Sequence, residues 1–344
     1  MKYITFTVPS YNSQDYMRHC IDNLVAAGED IEVIIVNDGS KDNTGKIADE
    51  YKNKYPTIVK VIHKENGGHG SGVMAGIANA KGIFYKVVDS DDWIETEDVL
   101  KMVDLIKKHI KEGLEIDLYI TNYVYERAVD NSQYVMHYRD CLPAEKVIHW
   151  EDVTKFKLDT VLLMHSLMYR LEKLKESGMT MPNHTFYVDN IYAYVPLPFM
   201  KNLFYHDLDL YHYFIGRSDQ SINYLTMCKR YEQQMRVYRI LYKAYSYDEL
   251  KKLPKPLYKY MIHWLVIMCF TTTMTIVGVK EDKKVRNQAF KDLFKELKEH
   301  DKKLYNKIRW RSLAIVAFSL PTYNLKSFAS STIYKRYQKK LKLG

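Results

Sequence analysis

Cysteine is scarce in this sequence of 344 residues, and its spacing excludes two classes of protein. The four thiols lie far apart along the chain, at Cys20, Cys141, Cys228 and Cys269. Zinc sites and small disulfide-stapled domains need closely spaced pairs or dense sets of cysteines. We therefore expect reduced, mostly buried thiols.

Long apolar runs are also scarce. The first one ends before Pro9 and is too short for a secretory signal, so we expect a cytoplasmic protein. Residues 260–279 carry no charge and are long enough to cross a bilayer, but threonines, His263 and Gly278 dilute their apolarity. A buried or membrane-lying helix is expected there rather than a span.

Negative charge is scarce in the last third of the chain. Residues 226–344 hold 27 Lys and Arg against 9 Asp and Glu, whereas residues 1–225 hold 24 against 33. This shift indicates two regions with different tasks, a domain at 1–225 and a basic helical region at 226–344. The basic region suits docking at the inner face of the plasma membrane, with homo-oligomerisation or a solvated bundle as alternatives. No nucleic-acid-reading motif accompanies the charge.

Strand and helix patterns alternate in the first part of the chain. The runs Ile4–Val8, Glu32–Asn37, Ile58–His63 and Phe84–Val88 are typical of buried parallel strands, with helical spacing between them. This order predicts a doubly wound α/β sheet that binds its ligand beyond the carboxyl ends of the strands. Further along, strands are expected at 118–124 and 133–138 and helices at 153–168 and 171–177.

Turn-forming sequences follow the first three strands. They are Pro9-Ser10-Tyr11-Asn12, Asn37-Asp38-Gly39-Ser40 and the glycine-rich run Asn66-Gly67-Gly68-His69-Gly70. Taken alone, each is an ordinary turn or helix cap. The glycine-rich run matches neither the P-loop nor the dinucleotide fingerprint, although glycine allows a ligand to approach the backbone closely.

The strongest signal is an acidic cluster directly after the fourth strand, Asp89-Ser90-Asp91-Asp92. Each close carboxylate pair repels by roughly 1 kcal/mol in water and about 4 kcal/mol at an effective dielectric of 20. A bound Mg²⁺ or Mn²⁺ would relieve this repulsion and leave positions open for diphosphate oxygens. A solvated turn in which Asp92 caps a short helix is the alternative.

These four motifs, in this order and spacing, resemble the family 2 glycosyltransferases, which have the A-type glycosyltransferase fold. The resemblance is clear over residues 1–110 and loose over 111–225. It implies a Rossmann-like, doubly wound and mainly parallel sheet, followed here by the mainly helical carboxyl-terminal region. It also implies a nucleotide-sugar donor, usually a UDP-sugar, and a Mn²⁺ or Mg²⁺ cofactor.

The resemblance also implies roles for individual positions. Asp91 would bind the metal, with His212 as an additional ligand. Asp189 would be the catalytic base, although Val188 stands where the family usually has a first acid and a helix cap is the alternative role. The nucleotide-binding residues would be Pro9, Tyr11, Asp38, Asn66, Gly68 and Asp89.

One departure from the family pattern concerns the diphosphate. Gly72-Val73-Met74 stands where the family often has Ala-Arg-Asn, so the donor needs another partner. Lys86, Lys64 and Arg217 are the candidates. His165 is a further candidate on the acceptor side.

The expected function is therefore an inverting, metal-dependent transfer of a hexose or N-acetylhexosamine from a UDP-sugar. The expected acceptor is a hydroxyl of a cell-surface polysaccharide or a lipid-linked glycan. A sugar-nucleotide nucleotidyltransferase is one alternative, although residues 8–20 lack its basic glycine-rich loop. A non-catalytic binding protein for sugar nucleotides or polysaccharide is the other.

Overall fold

A computed structural model describes residues 1–128, 130–157, 160–215, 224–278, 283–309, 311 and 332. Contacts divide the chain into two compact units. The first consists of residues 1–154 and 162–214, and the second of residues 155–161 and 215–344, within the described ranges. This division falls between residues 214 and 215, whereas the predicted boundary near residue 225 follows the shift in charge.

One mixed sheet of nine strands forms the centre of the first unit. The strands are β1 Ile4–Ser10, β2 Ile31–Asp38, β3 Val59–Lys64, β4 Phe84–Val87, β5 Leu118–Arg127, β6 Gln133–Met136, β7 Val147–Ile148, β8 Leu167–Arg170 and β9 Leu203–Ile215. Their order is β3-β2-β1-β4-β8-β5-β9-β7, with β6 paired to β5. The first four strands are parallel, and β8 runs antiparallel to both β4 and β5. The predicted α/β fold with a helical carboxyl-terminal region is confirmed.

Helices accompany the sheet and make up most of the second unit. In the first unit they are α1 Met17–Val25, α2 Thr44–Lys54, α3 His69–Asn79, α4 Thr96–Lys111, α5 Leu171–Glu176 and α6 Asp189–Tyr194. In the second unit they are α7 Tyr224–Lys229, α8 Tyr231–Ala244, α9 Tyr247–Lys252, α10 Lys255–Gly278, α11 Lys283–His300 and α12 Lys302–Arg309.

The core lies where the sequence pattern places it. Every residue of β1 and β4 is buried, as expected for strands covered on both faces. Helix α1 buries Met17, Cys20, Ile21 and Leu24, which share one face because they are three or four positions apart. All four cysteines are free and buried.

The helix predicted at residues 153–168 is wrong. Within the described part of this segment, residues 153–157 and 160–168, the helical structure is a short 3₁₀ helix, Met164–Ser166, before β8. Leu167 and Tyr169 pair with strand β5, and the apolar run is buried by the sheet instead of forming one face of a helix. A short apolar run fits either structure, so pairing with the neighbouring strands decides between them.

Helix α10 contains most of the uncharged run at residues 260–279. By length and composition it could cross a membrane, and 67% of its most apolar 18-residue window is buried inside the protein. Phe156 and Tyr260 pack within this unit with ring centroids 4.5 Å apart. Such burial is typical of a core helix in a helical bundle.

Candidate active site

The four motifs meet at the edge of the sheet where β1, β2, β3 and β4 end. The Asn12 side chain accepts a hydrogen bond from the Lys41 backbone at 2.9 Å, which joins the first motif to the second. Ser13 directly follows the first motif, and its hydroxyl lies 2.8 Å from that of Ser90, which joins this segment to the acidic cluster. Parallel strands present their carboxyl ends at one edge, so the predicted ligand-binding location is built as one connected site.

Asp38 joins the second motif to the glycine-rich turn. Its side chain is 4% exposed and accepts hydrogen bonds from Lys64 Nζ at 2.6 Å, Gly67 N at 2.9 Å and Gly68 N at 2.7 Å. A carboxylate has about four acceptor positions, so most of them are already used here. Asp38 therefore holds the turn in place, and its contact with a nucleobase or ribose stays a prediction.

The other predicted nucleotide-binding residues surround this turn. Tyr11 is 50% exposed at the end of β1. Pro9 is buried against α3, where a Cβ added at Gly72 would lie 3.0 Å from it. Asn66 donates to the Asp38 carbonyl at 2.8 Å. Gly68 has φ +83°, a conformation that favours glycine.

Asp89 pairs with a histidine from the glycine-rich turn. His69 Nε2 lies 2.7 Å from Asp89 Oδ1. Burial alone would raise the pKa of Asp89, but the charge and hydrogen bond of His69 outweigh it and lower that pKa. Burial likewise opposes a charged His69, yet the nearby Asp89, Asp189 and Asp91 raise its pKa. The two side chains stabilise each other as an ion pair.

Asp92 attaches the acidic cluster to β9. Its carboxylate accepts hydrogen bonds from the Tyr211 hydroxyl at 2.6 Å and from the Phe214 backbone at 2.8 Å. Burial, together with the charges of Asp91 and Asp89, raises the pKa of Asp92 well above its usual range. The position of Asp92 is thus set by β9, which comes about 120 residues later in the chain.

Three residues of this cluster could hold a divalent ion. Asp89, Asp92 and His165 each offer one ligand atom, and these atoms lie within 4.8 Å of one another. His165 Nδ1 is buried without a hydrogen-bond partner among the described residues, and burial lowers the pKa of His165 to about 4. The imidazole is therefore neutral at neutral pH, which is the form that ligates metals. Carboxylate oxygens with one imidazole nitrogen fit Mn²⁺.

The predicted metal ligands Asp91 and His212 are not part of that three-residue group among the described residues. Asp91 acts on the pKa values of Asp92 and His69, so it lies within the same electrostatic cluster. His212 stacks on Trp93 with ring centroids 5.1 Å apart, and its Nδ1 lies 2.7 Å from Glu126 Oε1. Metal binding by these two residues stays a prediction.

Asp189, the predicted base, is the first residue of helix α6. Burial raises the pKa of Asp189, with the charge of Asp89 adding to this effect and that of His69 opposing it. A raised pKa suits a carboxylate that must accept a proton near neutral pH. The structure thus brings the predicted base into electrostatic range of the acidic cluster.

Lys86, predicted to contact the diphosphate, is placed in the core instead. It is 0% exposed and donates to the carbonyl of His165 at 2.5 Å. It lies on β4 rather than beyond its end, so it faces the neighbouring strand β8 and not the ligand edge. Arg217, the other diphosphate candidate in the site prediction, lies outside the described residues.

Burial lowers the pKa of Lys86 to about 7 from 10.5. Between these values the unfolded chain binds more protons than the folded one, so the destabilisation by Lys86 shrinks as the pH rises. Relative to Lys86→Met, the wild-type urea midpoint should therefore increase between about pH 7 and pH 9.5. The exposed Lys81→Met variant is the control. A difference in urea midpoint between the wild type and Lys86→Met that does not change with pH would contradict the lowered pKa of Lys86.

Two residues of the site were missed by sequence reasoning. His69 had a signal, because it is a polar side chain in a glycine-rich turn after a buried strand. Tyr211 had none, because its contact with Asp92 joins positions about 120 residues apart. Only the folded sheet places them together.

The fold and this edge define a class of protein. Over 98% of this chain and 92% of the other, the structure is similar to S. aureus TarS 1–349 in complex with UDP-GlcNAc, with a TM-score of 0.64 at 18% identity. It is also similar to the mannosyltransferase PcManGT from Pyrobaculum calidifontis, in complex with GDP-Man and Mn²⁺, with a TM-score of 0.52 at 12% identity over 91% of this chain and 86% of the other. The chain has the A-type glycosyltransferase fold.

Sequence similarity points to the same class. Residues 5–162 match the profile of glycosyl transferase family 2. A stretch of 124 residues is 42% identical to the putative glycosyltransferase EpsH of Bacillus subtilis, covering 36% of this chain and 34% of EpsH. Another of 192 residues is 30% identical to GlyA of Streptococcus pneumoniae, covering 51% of this chain and 27% of GlyA. The chain spans about a third or less of the length of these two relatives.

Proposed function

We propose that this chain is an inverting glycosyltransferase that moves a hexose or N-acetylhexosamine from a UDP-sugar to a hydroxyl group. The acceptor belongs to a cell-surface polysaccharide or a lipid-linked glycan. The observation that carries the proposal is the connected edge at which Asp38, the glycine-rich turn and Asp89 meet. The UDP-GlcNAc complex of TarS supports the choice of donor.

Asp189 is the base in this reaction. It accepts the proton of the acceptor hydroxyl, whose oxygen forms a bond to the anomeric carbon. The bond from that carbon to the diphosphate oxygen breaks, and UDP leaves with the electron pair. Attack from the face opposite UDP inverts the anomeric configuration.

A divalent ion, as in the Mn²⁺ complex of PcManGT, would supply Lewis-acid stabilisation of the negative charge on the departing diphosphate. Asp89 and Asp92 would hold it with His165 as a nitrogen ligand, and Asp91, in the same electrostatic cluster, would be a further carboxylate ligand. The carboxylate cluster supports this assignment, because its members repel one another unless a cation lies among them.

A panel of UDP-sugars and GDP-sugars, incubated with the protein and Mn²⁺, tests the proposed activity by release of the nucleotide. One UDP-sugar should be hydrolysed slowly without acceptor and faster with a suitable glycan. Tight nucleotide binding without any turnover across the panel and a library of glycan acceptors would favour a non-catalytic binding protein.

We also propose that the basic region docks at the inner face of the plasma membrane. Helix α12 buries Leu304 and Ile308 and leaves Lys302 and Lys303 exposed, so it is amphipathic and basic. A lysine near an anionic membrane surface contributes about 1 kcal/mol. The protein should co-sediment with vesicles containing phosphatidylglycerol, but not in about 0.5 M salt, which screens these charges. Equal binding to phosphatidylcholine vesicles would contradict an electrostatic mechanism.

A further inference from the structure

The diphosphate of the donor lacks its usual arginine partner in this chain. Val73 stands where the family often has that arginine, and it is 0% exposed in helix α3. Lys86 is buried in the core, and Lys64 is paired with Asp38 at 2.6 Å. These three described side chains therefore do not replace the arginine, and another described side chain is needed for a contact with the donor beyond its ribose.

His69 lies at the right place for this contact. It begins α3, one helical turn before Val73, directly after the glycine-rich turn. Its side chain is 33% exposed, and its Nε2 is held by Asp89 at 2.7 Å. No hydrogen bond to Nδ1 is present among the described residues, so one ring nitrogen is fixed while the other is open.

The surroundings of His69 connect the two halves of the reaction. The charges of Asp89 on the nucleotide side and Asp189 on the acceptor side both act on its ring. If the ribose of the donor lies near Asp89 and its anomeric carbon lies near Asp189, the diphosphate that connects them lies between these two carboxylates. The His69 imidazole contacts Asp89 at 2.7 Å and is within electrostatic range of Asp189.

We propose that His69 positions the donor beyond its ribose, with Asp89 fixing the ring and Nδ1 contacting an oxygen of the diphosphate or of the transferred sugar. This inference rests on the proposed function, since it assumes a nucleotide-sugar donor at this edge. It assigns to His69 the donor contact that the missing arginine would make. His69 would make this contact from a different position in helix α3.

Binding of uridine, UDP and UDP-GlcNAc tests the proposal in the presence of EDTA, by calorimetry or ligand-observed NMR. His69→Leu should leave the affinity for uridine within about twofold and weaken a ligand that carries the contacted oxygen about tenfold, as expected for one hydrogen bond to a charged group. Weakening of both UDP and UDP-GlcNAc assigns the contact to the diphosphate. Weakening of UDP-GlcNAc alone assigns it to the sugar.

Two variants separate positioning from folding. His69→Gln, whose amide offers both a donor and an acceptor, should retain more affinity than His69→Leu. His206→Leu removes a comparable pair, because His206 Nδ1 lies 2.8 Å from Glu145, and it should bind all three ligands like the wild type. An equal loss for uridine and UDP-GlcNAc in His69→Leu, or equal losses in the Leu and Gln variants, would overturn the proposal. Wild-type protein that binds neither UDP nor UDP-GlcNAc, in EDTA and again with Mn²⁺, would count against the proposed function instead.

Discussion

Replacing Asp189 by asparagine is expected to lower the rate of sugar transfer by about a hundredfold to ten-thousandfold, the usual contribution of a general base. The amide keeps the size of the side chain but cannot accept the proton of the acceptor hydroxyl. Asp189 is at the start of α6 and lies outside the predicted nucleotide-binding motifs, so the affinity for UDP should change little. Steady-state transfer rates and UDP titrations measure the two effects separately.

The control for Asp189→Asn is Asp104→Asn, which changes an exposed carboxylate on helix α4 in the same unit. It should transfer sugar at the wild-type rate. If Asp189→Asn transfers sugar within a few-fold of that rate, another group deprotonates the acceptor. The site prediction based on the family resemblance would then be wrong at this residue.

Replacing Asp91 by asparagine is expected to lower transfer about a hundredfold or more and to remove its dependence on Mn²⁺. Lewis-acid stabilisation of the leaving group contributes several kcal/mol, and each 1.36 kcal/mol is a factor of ten in rate. Titration of activity with Mn²⁺ in the wild type and the variant measures the effect.

The stability of Asp91→Asn should move in the opposite direction from its activity. Asp91 raises the pKa of Asp92, so removing its charge relieves a repulsion inside the acidic cluster. In EDTA the variant should melt at or above the wild-type temperature, and Mn²⁺ should stabilise only the wild type. A variant that loses activity because it has unfolded, or that is still stabilised by Mn²⁺, would contradict a metal-binding role for Asp91.

The parallel half of the sheet could be predicted from the sequence because its strands are short apolar runs covered on both faces. The runs at 4–8, 32–37, 58–63 and 84–88 correspond to β1, β2, β3 and β4 within a few residues. The polar turns after these strands lie together at one edge of the sheet, because parallel strands all end on the same side. That edge is the candidate ligand site. Local sequence therefore contained both the fold class and the motifs of the site.

The antiparallel half was less predictable because its pairing joins distant segments. The first two residues of strand β8 belong to a run predicted as a helix, and β9 alternates buried and exposed residues only in part. Tyr211 and Phe214 on β9 hold Asp92, which no local pattern near the acidic cluster indicates. The position of Lys86 also depends on a distant segment. Its place in the sequence near the acidic cluster suggested a ligand contact, whereas its side chain packs against β8.

A crystal structure of the protein with UDP and Mn²⁺ is the most direct test of nucleotide and metal binding at this edge of the sheet. We expect an anomalous manganese peak coordinated by a carboxylate of the acidic cluster, Asp89, Asp91 or Asp92, with the nucleoside beside Asp38 and Tyr11. A nucleotide bound elsewhere, or manganese absent from this edge while UDP is bound, would contradict it.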